Sequence, residues 1–212
     1  MSERIKRTRI KVCGMTDAKV ARAAVAMGVD AIGMILHADS PRRIDLDCAR
    51  AIRAEIPAFV SLVGVFVDCP QQDLNSIADQ VGLDLVQLHG DETYEYATSL
   101  SRPFIKAVRA KEPDQVNHDV QAFPNARAIL LDPFVEGQHG GTGQQLSAHL
   151  WPTDKVQNLI LAGGLSADNV GVAIAQLAPF AVDLNSGLET MPGKKDLGLL
   201  AQAVQAVAGV NR

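Results

Sequence analysis

The sequence of 212 residues predicts an α/β protein folded as a single (β/α)8 TIM barrel, and three observations carry that expectation. Eight short apolar runs recur along the chain, at 10–12, 31–36, 59–67, 85–88, 104–108, 128–131, 159–161 and 181–184. Segments with helical period lie between them, so strand and helix alternate from end to end. The runs are continuously apolar rather than alternating, as in strands buried on both faces of a parallel sheet covered by helices. Eight such units close a compact barrel, slightly below the usual size of that fold. An open doubly wound sheet is the competing architecture, and eight regular units fit it less well.

The first strand reads as Arg9, Ile10, Lys11 and Val12, with Thr16 as the N-cap of a helix over 18–27 that Gly28 closes. Cys13 therefore falls on a strand-to-helix loop, where parallel α/β folds bind ligands and carry catalytic side chains. Cys48 lies in a helix-like segment and Cys69 just after the third strand, and both read as structural thiols. His89 follows the fourth strand, Asp132 ends the sixth ahead of Pro133, and Asp183 sits one residue inside the end of the eighth. At the C-terminus Leu197, Leu200, Val204 and Val207 trace a helical stripe behind an Asp196 cap.

Three glycine clusters occupy the last third: Gly140-Gly141-Thr142-Gly143, Ala162-Gly163-Gly164-Leu165 and Asn185-Ser186-Gly187-Leu188. A single Gly-Gly pair reads as a tight turn. Two clusters directly after strands seven and eight point instead to a phosphate held by main-chain N–H groups, because glycine lets the backbone approach a ligand closely. Neither cluster matches Gly-x-Gly-x-x-Gly, and no P-loop occurs, so a nucleotide cofactor is not expected.

Composition narrows the function classes. With 47% hydrophobic and 21% charged residues, one domain over 1–212 can bury a full core. A net charge of −4 and a pI near 5.7 argue against nucleic acid or a membrane surface as partner. The basic run Arg4, Lys6, Arg7, Arg9 and Lys11 reads as a solvated arm, taken as residues 1–8. Three cysteines without a secretory leader suit a reducing cytoplasm. The histidines at 37, 89, 118, 139 and 149 show no His-Glu-x-x-His spacing and no cysteine pair accompanies them, so no metal site is expected. Trp151, Tyr94 and Tyr96 form no platform for single-stranded nucleic acid.

These motifs resemble the phosphoribosylanthranilate isomerase family of tryptophan biosynthesis along the whole chain. The resemblance rests on Lys-Val-Cys-Gly-Met-Thr at 11–16, Ser-Pro-Arg at 40–42, Gly-Val-Phe at 64–66 and Gln-Leu-His-Gly at 87–90. It continues through Leu-Leu-Asp at 130–132, Gly-Gly-Thr-Gly at 140–143, Ala-Gly-Gly-Leu at 162–165, Val-Asp-Leu-Asn-Ser-Gly-Leu-Glu at 182–189 and Pro-Gly-Lys-Lys-Asp at 192–196. It implies an Amadori rearrangement of N-(5-phosphoribosyl)anthranilate to 1-(2-carboxyphenylamino)-1-deoxyribulose 5-phosphate. It implies no metal and no organic cofactor, and a small phosphoribosyl substrate as the partner of a monomer or homodimer.

By the same resemblance Cys13 is the general base and Asp132 the general acid. A free cysteine near pKa ~8.5 is mostly protonated at neutral pH and a free aspartate near ~3.9 mostly ionised, so the site has to adjust both. Partial burial is expected to keep some Asp132 protonated, and positive charge or loop N–H groups to favour the Cys13 thiolate. Arg42 offers a planar fork for the anthranilate carboxylate. His89 lines the pocket or serves as a hydrogen-bonded structural histidine, and Asp183 holds loop amides or contacts substrate hydroxyls. Gly141, Gly143, Gly163, Gly164, Asn185, Ser186 and Gly187 are the phosphate candidates.

The chain departs from the family pattern twice. Asn185 replaces the usual serine, and Leu146-Ser147-Ala148 replaces an aromatic-acidic-aromatic run, with Trp151 arriving later. The alternatives are another phosphosugar isomerase or epimerase on the same barrel, and a non-catalytic module that binds a phosphorylated ligand.

Overall fold

The protein is described from a computed structural model, which covers residues 7–134, 145–152 and 158–210. Eight parallel strands pair in sequence order and close on themselves. They are β1 (Arg9–Val12), β2 (Ala31–His37), β3 (Ser61–Phe66), β4 (Leu85–Leu88), β5 (Phe104–Ala110), β6 (Ala128–Pro133), β7 (Leu159–Leu161) and β8 (Ala181–Leu184). Pairing of β8 with β1, which sets Lys11 opposite Asp183, shuts the barrel and rules out the open sheet. Around it lie α1 (Ala18–Ala26), α2 (Leu46–Ala54), α3 (Gln71–Val81), α4 (Tyr94–Thr98), α5 (Pro113–Gln121), α6 (Val170–Leu177) and α7 (Leu197–Val210). After β8 a short hairpin, β9 (Glu189–Met191) and β10 (Lys194–Lys195), precedes α7.

Side chains of a strand alternate between two faces, which here are the helix layer and the barrel interior. Ile10, Val12, Ile32, Met34 and Val182 join the large core beneath the helices. Val63, Ile105, Leu130 and Ile160 fill the interior. Above them Cys13, Ile35 and Val65 form a separate cluster at the C-terminal mouth. The alternation thus gives Lys11, Cys13, Asp132 and Asp183 the inward phase.

Several local expectations change. The run 59–67 shortens to β3, because Phe59 adopts φ 71°, a left-handed turn incompatible with a strand, and Ser61 N is the first to bond back, to Asp30 O at 3.0 Å. Asp17, not Thr16, caps α1: its carboxylate accepts from Lys19 N and Val20 N at 2.7 and 3.0 Å. Thr16 instead donates its hydroxyl to Gly193 O in the β9–β10 hairpin. On α7 the buried stripe is Leu200, Ala203 and Val207, while Leu197 in the first turn is exposed.

The basic run is not an arm in its described part. Arg7 pairs with Asp30, Thr8 is buried, Arg9 stacks over Phe180 at 4.2 Å, and Lys11 is inside the barrel at 3% exposure. Residues 1–6 lie outside the described residues. Between β6 and β7 the described residues make a single 3-10 turn, Ala148–Leu150, with Leu146 and Leu150 buried and Trp151 packed against the helix-layer core.

Candidate active site

The mouth of the barrel holds a cavity of about 530 Å³, into which Cys13, Arg42, His89, Asp132, Asp183 and the Gly163-Gly164 loop all project. Its base is built by β1. Cys13 N donates to Leu184 O at 2.8 Å, which fixes the residue just beyond the strand. Gly14 then turns the chain at φ 68°, and a Cβ there would lie 2.7 Å from Asn185 Oδ1 and 2.8 Å from Arg42 Cδ. Only glycine lets these two loops close on the thiol.

Beneath the thiol lies Lys11, whose Nζ donates to both oxygens of Asp183 at 2.8 and 2.9 Å. Asp183 is therefore held by a buried ammonium, not by the loop amides that were one of its two expected roles, and it still lines the cavity where substrate hydroxyls were the other. Burial alone would lower the Lys11 pKa, but Asp183 and the adjacent Cys13 outweigh it and hold the ammonium above its ordinary value. For Cys13 burial wins: it pushes the thiol up, against the pull of Lys11 and Lys195. The expected positive charge is present, yet the net shift runs opposite to the expectation.

Across the cavity, Asp132 is buried on β6, and His89 Nε2 lies 3.4 Å from its Oδ2. That distance allows charge pairing but not an aligned hydrogen bond, since Nε2 has no hydrogen-bond partner. Gln87 Nε2 lies 2.9 Å from His89 Nδ1. With the amide as donor Nδ1 accepts, so a neutral His89 carries its proton on Nε2, facing Asp132. The buried side-chain polar atoms without a partner among the described residues are Gln87 Oε1 and His89 Nε2, and both residues line this cavity. Such orphans mark where a ligand supplies the missing bonds.

Arg42 reaches the cavity, but its fork is turned onto Glu189, with Nε to both carboxylate oxygens at 3.0 Å and Nη2 to Oε2 at 2.8 Å. Lys195 Nζ bonds the same carboxylate at 2.7 Å and Asn185 Oδ1 at 2.8 Å. Burial opposes ionisation of Glu189, yet Arg42 and Lys195 hold its carboxyl below the usual range. Burial also lowers Lys195, against Glu189.

At the other end, Gly163 and Gly164 take φ 86° and 55°, left-handed conformations that favour glycine. Asn169 braces the loop by donating to Gly164 O and accepting from Ser166 N, each at 2.9 Å. Asn185 and Ser186 join this wall. Gly187 does not line the cavity; a Cβ there would meet Leu165 O at 2.1 Å, so its glycine serves loop packing. Gly141 and Gly143 lie outside the described residues.

Sequence reasoning missed Lys11, Gln87, Glu189 and Lys195 as parts of the site. Lys11 shares the strand phase of Cys13, a signal that was available. Glu189 and Lys195 meet only through the hairpin, which no pattern announced.

A family model for N-(5′-phosphoribosyl)anthranilate (PRA) isomerase matches residues 10–206. The chain belongs to that family. The matched span contains every described residue of the cavity. Among curated relatives, the N-(5′-phosphoribosyl)anthranilate isomerase of Pseudomonas aeruginosa strain LESB58 is 46% identical over 204 residues, covering 96% of this chain and 97% of that one. The crystal structure of the PRA isomerase from Thermotoga maritima superposes with a TM-score of 0.87 at 34% identity, covering 95% of this chain and 99% of that one. A further PRA isomerase structure, in complex with reduced 1-(o-carboxyphenylamino)-1-deoxyribulose 5-phosphate, gives a TM-score of 0.83 at 34% identity, with coverage of 95% and 99%.

Proposed function

We propose that this chain isomerises N-(5-phosphoribosyl)anthranilate to 1-(2-carboxyphenylamino)-1-deoxyribulose 5-phosphate in tryptophan biosynthesis, with Asp132 as general acid and Cys13 as general base. The observation that carries the residue roles is that a thiol from β1 and a carboxyl from β6 face one cavity whose rim ends in the glycine loops after β7 and β8. Protonation of the furanose oxygen by Asp132 lets the C1′–O bond break as the anilino nitrogen pushes in its lone pair, giving an iminium. Removal of the C2′ proton by Cys13 then returns the electron pair to nitrogen and forms the enolamine. Tautomerisation gives the ketone.

Supporting groups fall into place around that pair. The amides of Gly163, Gly164, Asn185 and Ser186 suit the phosphate, so the Asn185 side chain is free to serve Lys195. Because Glu189 occupies one edge of Arg42, the anthranilate carboxylate is met by the remaining guanidinium N–H groups. His89 Nε2 and Gln87 Oε1 take up sugar hydroxyls or the Asp132 carboxyl. With three free thiols the protein suits the reducing cytoplasm. Another phosphosugar isomerase would need the phosphate loops without needing both Cys13 and Asp132. The test is loss of anthranilate fluorescence: Cys13→Ser and Asp132→Asn should each lower kcat by about 10²–10⁴-fold with the fold intact, and near-wild-type turnover in either variant overturns that residue's role.

A further inference from the structure

We infer that Lys11, anchored on Asp183, is the positioning residue that stabilises the reactive thiolate form of Cys13, against its burial, for proton abstraction. This rests on the assignment of Cys13 as base and deepens it. A lysine is among the residues least tolerant of full burial, yet Lys11 is 3% exposed inside the barrel, in the same strand phase as the thiol. Two of its three donors go to the two oxygens of Asp183. The third is available to the sulfur, two residues on along the same face.

The absence of a side chain at residue 33 makes this meeting possible. A Cβ on Gly33 would lie 2.9 Å from Cys13 Sγ and 3.1 Å from Lys11 Nζ, so sulfur and ammonium crowd the same spot on β2. The charged groups acting on the thiol are Lys11 from its own strand, Asp183 from β8 and Lys195 from β10; its β2 and β3 neighbours, Ile35 and Val65, are apolar. In that apolar surrounding one fixed ammonium matters more than it would in water. Asp183 keeps Lys11 charged, so the cation is not lost when the thiol ionises. During turnover the sulfur takes the C2′ proton and becomes neutral, and Lys11 keeps all three of its own protons.

The test is the pH profile of kcat/KM in Lys11→Met, read beside the pH dependence of iodoacetamide alkylation of Cys13, followed by peptide mass spectrometry. The alkaline limb and the alkylation midpoint should both move up by about one pH unit or more, with a tenfold loss of kcat/KM at neutral pH that is recovered at high pH. Two companions cover a misfolded single variant. Lys11→Met with Asp183→Asn removes both charges and so leaves no unpaired charge, and Gly33→Ala wedges sulfur from ammonium with every titratable group retained. Lys106→Met, which breaks the buried pair to Glu92 outside the cavity, should cost stability without moving the limb. A folded Lys11 variant whose rate falls equally at every pH, with an unmoved alkylation midpoint, overturns the proposal. Full turnover in Cys13→Ser would instead overturn the base assignment, and the alkylation shift would still report on Lys11.

Discussion

The two walls of the cavity are built on opposite plans. On the β1–β8 side the charges around the thiol are paired: Lys11 with Asp183, Arg42 with Glu189, and Lys195 with Glu189 and Asn185. On the β4–β6 side Gln87 Oε1 and His89 Nε2 are buried without partners, and His89 only approaches Asp132. The protein thus keeps rigidity on the first wall and unspent hydrogen bonds on the second. A base that must meet one C–H bond is set in a closed network, whereas an acid that meets a ring oxygen sits among groups that a ligand completes.

The comparison breaks most visibly under single charge deletions. Removing one partner of the Lys11–Asp183 pair strands the other in the barrel, and urea unfolding of Asp183→Asn should show a loss of about 3–5 kcal/mol. Gln87→Met on the other wall removes an already unsatisfied oxygen along with one hydrogen bond, and should stay within about 1 kcal/mol of wild type. Equal losses at both sites would erase the distinction.

The base side should also control the pH dependence. Burial raises the Cys13 pKa, so below that raised value the reactive thiolate is the minor form. The rate of Cys13 alkylation by iodoacetamide should therefore climb about tenfold per pH unit from neutrality past the ordinary thiol value of about 8.5. A plateau reached by pH 7 would show that the thiol ionises early.

Smaller effects come from the clamp on Arg42. Glu189→Gln should raise KM several-fold with little change in kcat, because it loosens the guanidinium without touching the reacting atoms. Arg42→Lys should raise KM more than Arg43→Ala does. Stability carries a matching sign: the folded Glu189 carboxyl titrates below the ordinary value, so it stabilises the fold above about pH 4.3 and loses that contribution as pH falls through the lower folded value. Thermal melts of Glu189→Gln should show a flatter acid dependence than wild type.

Much of this was legible from residues, and the reasons are specific. The runs at 85–88, 159–161 and 181–184 became β4, β7 and β8 with unchanged bounds, because short, mostly apolar stretches buried on two faces leave little choice of end. Cys13, Asp132 and Asp183 could be placed at strand ends, and the barrel brought them together. Lys11 was misread because a run of basic residues looks solvated until strand phase is considered, and the phase puts it beneath Cys13. Glu189, Lys195 and the altered hold on Arg42 arise from a hairpin stabilised by tertiary contacts, which leaves no periodic trace. Asn185 looked like a weakened phosphate ligand and proved to be the acceptor for Lys195.

The most direct measurement is a crystal structure of this protein with a reduced product analogue in the cavity. Cys13 Sγ should lie within about 3.5 Å of C2′, Asp132 beside the former ring oxygen, and the phosphate on the amides of Gly163, Gly164 and Ser186. A ligand bound with its phosphate at the Arg42 end, or with the sulfur turned from C2′, would contradict these roles.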